Sequence, residues 1–452
     1  MNVTSRVCFS RTTRKINDIS YAFPRGHSVP YEYDFLRRWN HTPLGYLFNK
    51  LKYLGRDINP FVFNLCSYNI LSQKLLERNF NLYNDIDPRY LFWSHRFKVL
   101  TEEMNQQYAD IYCLQEVDND KYYNHFQRFF KSKGYTGLYS RRSGDKPDGC
   151  AIFVKNRKFQ IVDSISFPFI RQQATLLDRD NLAMLVKLQP RQDDLPMMIV
   201  GTTHLLFNPN QGEAKLAQAQ LLLAEIERFA LDRIPYNSGN RRYHPVIMTG
   251  DFNSAPNSAI YQLMTGREVN LNNWTAGTIS GQFMDACSKR KLPDTVIPYD
   301  LGISDYCRYS RTMKNICSDN ATNCGSTKCD YNSSESSRYD PHGSGVLQSF
   351  INLQSAYNHH LFQKLISTKH GVGLNGHCWD FIFYSVHKDY SESSLKNLAT
   401  FSLPTYDNGP DLVFPSKRMG SDHVSLYAKF TLLSDKDNLE ISQMMKSKNF
   451  TK

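Results

Sequence analysis

The sequence has no long apolar run. Its mean hydropathy is −0.51, and nowhere does it approach the ~20 consecutive apolar residues of a membrane-spanning helix. No apolar core behind a basic start marks a secretory signal either. A glycine-rich phosphate loop and a dinucleotide fingerprint behind a strand are both missing, which removes nucleotide triphosphatases and dehydrogenases. There is no Leu-x-x-Leu-x-Leu period, so no leucine-rich partner-binding repeat is expected. None of the ten cysteines forms a Cys-x-x-Cys pair, the spacing on which a structural zinc site would be read. Acids are missing from the first 17 residues, which hold Arg6, Arg11, Arg14 and Lys15. That composition fits a mitochondrial transit peptide, but its poor amphipathic period fits a basic tail better. Together these absences predict a cytoplasmic protein with free thiols, with mitochondrial import as the alternative.

What is present is a chain of 452 residues, 41% hydrophobic and 13% aromatic. That is enough to bury a large core. The net charge of +11 favours a polyanionic partner: RNA, DNA or an acidic membrane. Residues 1–60 hold ten Lys/Arg against Asp18, Glu32, Asp34 and Asp57, and read as a basic extension. Within it, Tyr31–Trp39 is a candidate short helix or docking segment. Residues 61–432 carry the periodic pattern. Residues 303–346, rich in Ser, Asn, Asp and Gly, read as a mobile insertion. Residues 433–452 read as a polar tail.

Within the periodic region, strand-like runs recur with a polar group near one end. Phe61–Leu71 carries Asn69; Ala109–Asp118 carries Glu116; Met197–His204 ends in His204; Val246–Ser254 ends in Asp251 and Asn253. Cys378–Val386 opens with Asp380, and Asp422-His423 precedes an alternating strand over 424–431. A helical period places Phe97, Leu100, Met104 and Tyr108 on one face, and residues 212–233 form the clearest helix. Taken singly, each polar residue has a bland reading: Gly250-Asp251-Phe252-Asn253-Ser254 is composed of turn formers. Taken together, they would line one rim of layered sheets. Carboxylates with an asparagine and no Cys/His cluster favour Mg²⁺, or Mn²⁺ as the alternative. An Asp–His pair and a second histidine suit attack of a water on a phosphoester.

The ordered segments Ser67–Leu71, Leu114–Val117, Asp148–Ile152, Thr203–Leu206, Gly250–Ser254, Asp380–Tyr384 and Ser421–His423 resemble the motifs of the endonuclease/exonuclease/phosphatase superfamily. Lys146–Cys150, Leu176–Asn181 and His204–Pro209 look closest to the Angel proteins of its deadenylase-related branch. The resemblance implies a four-layered α/β sandwich of two packed mixed sheets flanked by helices, with a magnesium-bearing cleft at one rim. It implies Glu116 as principal metal ligand with Asn69 beside it, and Asp422 near the metal. Asp251 would orient or deprotonate the water, and Asn253 would hold the phosphate. His204 and His423 would contact phosphate oxygens, with Asp380 as partner of His423. Lys146, Asp148 and Asn208 would lie on the substrate side. Trp379 and Phe381 depart from the usual residues around Asp380 and bear on substrate fit.

The function the resemblance implies is a Mg²⁺-dependent phosphoesterase on RNA 3′ ends, removing terminal 2′,3′-cyclic phosphates. A 3′–5′ exoribonuclease or poly(A) deadenylase needs the same metal and water. A non-catalytic RNA-binding translation regulator is the reading from another class. In that reading, residues 1–60 would serve RNA, translation or mRNA-decay proteins.

Overall fold

A computed structural model of the chain describes residues 32–53, 60–233, 242–282, 288–310, 343–359, 365–369, 376–386, 394–405, 407 and 412–446. The main strands are β1 (Trp39–His41), β2 (Phe61–Asn69), β3 (Ile111–Asp118), β4 (Tyr135–Arg141), β5 (Asp148–Lys155), β6 (Phe159–Pro168) and β7 (Leu182–Pro190). They continue with β8 (Met198–His204), β9 (Val246–Asp251), β10 (Leu353–Ser355), β11 (Asp380–Ser385), β12 (Leu395–Phe401) and β13 (Leu426–Leu432). The first sheet runs β1-β12-β13-β2-β3-β5-β4 and the second β10-β11-β9-β8-β7-β6. Both are mixed: β2 and β3 pair in parallel, as do β8 and β9, while the other neighbours are antiparallel.

Period-two alternation explains why β2 and β3 read as apolar on both faces. Phe63, Leu65, Ile111 and Cys113 join the core shared with the second sheet, beside Val200, Met248 and Ile382. Cys66, Tyr68, Tyr112 and Leu114 point the other way, under the helix Trp93–Gln107, whose Leu100 and Met104 join them. The helix Gly212–Ala230 covers the second sheet with a nearly all-buried surface. The result is the expected four layers: helices, sheet, sheet, helices. That helix stops at Ala230, three residues short of the expected end, because Leu231–Arg233 turns extended and pairs with Arg242–Tyr243.

Residues 32–53 pack onto the first sheet. β1 adds an edge strand beside β12, and the helix Pro43–Tyr53 follows it. Arg37 is buried, donating to the Ser425 carbonyl at 2.6 Å and the Ser402 carbonyl at 2.8 Å, and pairing with Glu103 at 3.4 Å. Of the two readings for Tyr31–Trp39, the docking segment holds over residues 32–39, which form no helix. Residues 435–446 form a helix whose Ile441 is buried with Leu44, Leu47 and Leu51. Residues 1–31, most of the insertion (311–342) and Cys317, Cys324 and Cys329 lie outside the described residues. The described cysteines, Cys66, Cys113, Cys150, Cys307 and Cys378, are buried free thiols. Among the described residues no helix is long and apolar enough to cross a membrane.

Candidate functional site

The strand ends converge because their backbones are bent there. β3 carries a bulge between Leu114 and Val117, and within it Glu116 adopts φ +56°. A bulge re-aims a side chain at a sheet rim, and here it turns Glu116 toward the second sheet's strand ends. In β9, Gly250 has φ +145°, and a Cβ there would lie 2.0 Å from the Thr203 carbonyl oxygen. Only glycine lets β9 and β8 approach closely enough to set Asp251 opposite His204. Asn253 sits at φ +46°, a left-handed conformation that asparagine tolerates. The stretch is therefore a turn in shape, as its composition predicts, and it carries the polar groups into the cleft.

Asn69 is fully buried, and its Nδ2 donates to Glu116 Oε1 at 3.0 Å and to Asp251 Oδ2 at 3.1 Å. One amide therefore ties together carboxylates from the two sheets. Its Oδ1 accepts from Leu71 N, and Ser72 N donates to Glu116 Oε2 at 3.0 Å. Asp251 Oδ1 accepts from Asn253 N at 2.9 Å, while Oδ2 faces His204 Nε2 at 3.5 Å and His423 Nε2 at 3.7 Å. His423 Nδ1 meets Asp380 Oδ2 at 2.9 Å, and Ser367 Oγ donates to the same oxygen at 2.6 Å. Thr368 Oγ1 lies 3.1 Å from His423 Nε2.

The electrostatics divide the two histidines. Burial alone would lower the His423 pKa, but Asp380, Asp251 and Asp422 outweigh it and hold the ring's pKa well above the ordinary histidine value. His204 is pushed down to about 4, by burial first and then by Arg142. At neutral pH the site holds one imidazolium and one neutral imidazole. The Asp251 carboxyl is driven upward by burial and then by the charge of Asp380. That is the direction that prepares a carboxylate to take a proton. Ligand atoms of Asp251, Asp380 and His423 lie within 4.8 Å of one another, a group that could hold a metal ion. Two of the three are already hydrogen-bonded to each other. Glu116 is the better-placed oxygen donor: its carboxylate stays partly open to the cleft, 3.9 Å from His204 Nδ1, which is buried without a hydrogen-bond partner.

Asn69, Glu116, His204, Asp251, Asn253, Asp380 and His423 thus come together. The other candidates fall at its margin. The Asp422 carboxylate accepts from Tyr83 at 2.7 Å and stands outside the Asp251–Asp380–His423 group. Asp148 is buried and paired with Arg142, and both line a small cleft with His204. Lys146 is exposed at the tip of the β4–β5 hairpin. Asn208 is exposed and caps a short helical turn by accepting from Asn210 N. The Asn253 amide donates to the Leu205 carbonyl at 3.0 Å. Trp379 is buried, stacked on His377 and edge-on to the half-exposed Phe207 at the rim. Phe381 belongs to the core, against Phe252 and Tyr261.

Two supports escaped the sequence reading. Asn181 Nδ2 donates to the His204 carbonyl at 2.9 Å, and Gln218 holds both Asn181 and the Leu206 amide. Arg96, fully buried, donates to the carbonyls of Gly420 at 2.8 Å and Ile70 at 2.5 Å, to Leu71, and to Gln73 Oε1 at 2.8 Å. It fastens the loop after Asn69 to the loop before His423. Arg96→Met is therefore expected to cost about 3 kcal/mol or more in a denaturant titration, because several buried carbonyls lose a charged donor. A cost within experimental error would show that the loops are held by other contacts.

The Endonuclease/Exonuclease/phosphatase family model matches residues 66–423. Protein angel homolog 2 of Homo sapiens is 35% identical over 394 residues, spanning 83% of this chain and 70% of that protein. Protein angel homolog 1 of Homo sapiens is 29% identical over 471 residues, spanning 90% of this chain and 68% of that protein. Among solved structures, ANGEL2, a 2′,3′-cyclic phosphatase crystallised with adenosine-2′,3′-vanadate, superposes with a TM-score of 0.69. It is 33% identical, over 88% of this chain and 99% of that one.

Proposed function

The chain belongs to the endonuclease/exonuclease/phosphatase family, and on that premise we propose that it hydrolyses terminal 2′,3′-cyclic phosphates on RNA with the aid of Mg²⁺. The observation that carries the reading is the convergence of Glu116 and Asp251 on the one Asn69 amide, with the His423–Asp380 pair beside them. Support for the substrate comes from the similarity to ANGEL2, a 2′,3′-cyclic phosphatase crystallised with adenosine-2′,3′-vanadate.

The residues fit a hard divalent ion. Glu116 and Asp251 offer carboxylate oxygens, and the charge crowded around Asp251 is what a cation would relieve. When bound, such an ion polarises the phosphoryl group and lowers the pKa of a water. Glu116 would hold it, with Asn69 setting the carboxylate's direction. Asp251 accepts the proton of the attacking water. His423, kept protonated by Asp380, donates from Nε2 to a phosphate oxygen, and neutral His204 donates its single ring N–H to the same group. Each of two hydrolyses adds one water at phosphorus. The first breaks one ring P–O bond and leaves a phosphomonoester. The second breaks the other, releasing inorganic phosphate and the diol end. Trimming of poly(A) would instead break the internal phosphodiester and shorten the chain.

The test uses RNA ending in a cyclic phosphate, with wild-type protein and Glu116→Gln. Chelation should abolish turnover and Mg²⁺ restore it. Glu116→Gln should lose about 10²-fold and need more metal, the range in which ligand-shell changes act. Turnover that persists in chelator would refute the reading.

A further inference from the structure

The largest local excess of charge within the folded body lies mostly outside the site. Residues 119–158 contain ten Lys/Arg against Asp120, Asp145 and Asp148. Asp120 is taken by Lys74 and Lys121, and Asp148 by Arg142. These residues form the helix Gln127–Ser132 and the β4–β5 hairpin, and β4 is an outer edge of the first sheet. The hairpin runs from one rim to the other. The pairing Arg141↔Gly149 sets its tip at the catalytic rim, where Arg142 lines the cleft with His204. The pairing Tyr135↔Lys155 sets its other end at the opposite rim, ~20 Å away at the rise of an extended strand.

At that far end lies a cavity of about 310 Å³, lined by Met104, Tyr108, Phe129, Lys133, Tyr135 and Lys155. Its cations lie over its rings. Lys133 Nζ is 5.0 Å from the Phe129 centroid, Lys155 Nζ 4.4 Å from that of Tyr135, and the Arg157 guanidinium 5.8 Å from that of Tyr108. Lys133 and Arg157 are exposed and have no carboxylate partner among the described residues. Recessed rings beneath cations suit a nucleobase with its flanking phosphates. A membrane-binding face would instead present protruding apolar side chains.

We infer that this edge is an exosite for single-stranded RNA upstream of the reacting 3′ end. The backbone would follow the basic edge from the hairpin tip, and a base would enter the far cavity. The inference rests on the reading that RNA is the substrate.

The test compares wild-type protein with Lys133→Glu/Arg157→Glu and, separately, Phe129→Ala. Fluorescence anisotropy measures binding of a long single-stranded RNA and of a dinucleotide, each across a salt series. Wild-type should bind the long RNA more tightly than the dinucleotide. The double reversal should weaken only the long RNA, by about tenfold or more, and flatten its salt dependence, as expected for lost phosphate contacts. Phe129→Ala should weaken the long RNA without changing the salt slope. Turnover of a dinucleotide with a cyclic end should be unchanged in both variants. Equal length dependence in wild-type and double reversal would overturn the exosite, as would loss of binding to anionic vesicles with RNA binding intact. The binding arm does not depend on turnover, so a failure of the end-processing reading is seen separately, as dinucleotide turnover absent from wild-type protein.

Discussion

Asp251→Asn should abolish most turnover of cyclic-ended RNA, by at least about 10²-fold in kcat, the lower range for a positioned proton acceptor. The fold should survive. An asparagine oxygen can still accept from Asn253 N, which Asp251 does at 2.9 Å. Stability should change little, because the substitution removes a buried carboxylate whose pKa is raised by burial and by the nearby charge of Asp380 but gives up the bond from Asn69 Nδ2. A melting curve alongside the rate assay separates the two effects. Near-normal turnover by a folded Asp251→Asn protein would remove Asp251 from the proposed chemistry.

Asp380→Asn should be nearly as damaging, for a different reason. Asp380 is placed to act through His423, whose Nδ1 it holds at 2.9 Å. Without that carboxylate the imidazolium loses its main compensating charge, and an amide at this position can favour the wrong ring tautomer. A fall of about 10²-fold or more in kcat follows from losing an oriented acid–base partner. Ser367 and the Trp379 and Asp380 amides, which share hydrogen bonds there, should keep the loop in place. KM should therefore move less than kcat. A variant in which KM alone rises would mark Asp380 as a binding residue.

These expectations depend on residues that were legible in the sequence because strands deliver side chains to their ends. Asn69, Glu116, His204, Asp251 and Asp380 each close or open an apolar run, and such runs can be recognised from composition. Lys146 and Asn208 were drawn in by their neighbours in the motifs, yet one sits exposed at a hairpin tip and the other caps a turn. Arg96 could not be found this way. It is a lone cation within an amphipathic helix, and only the tertiary fold brings the carbonyls of Ile70 and Gly420 to it. Strand β6 is hidden for another reason. β6 is largely solvent-facing, with polar residues at alternate positions, so its apolar signal is diluted. The basic edge was also hidden. The net charge is concentrated most visibly in residues 1–60, whereas the cations of this edge are spread over residues 119–158 and meet only when the sheet forms.

The central claim is tested most directly by mass spectrometry of one oligoadenylate carrying a 2′,3′-cyclic phosphate, incubated with wild-type protein and Mg²⁺. The account predicts a product of unchanged chain length ending in a diol, with release of inorganic phosphate and no mononucleotide. Progressive shortening with release of adenosine monophosphate would contradict it and assign the same cleft to deadenylation.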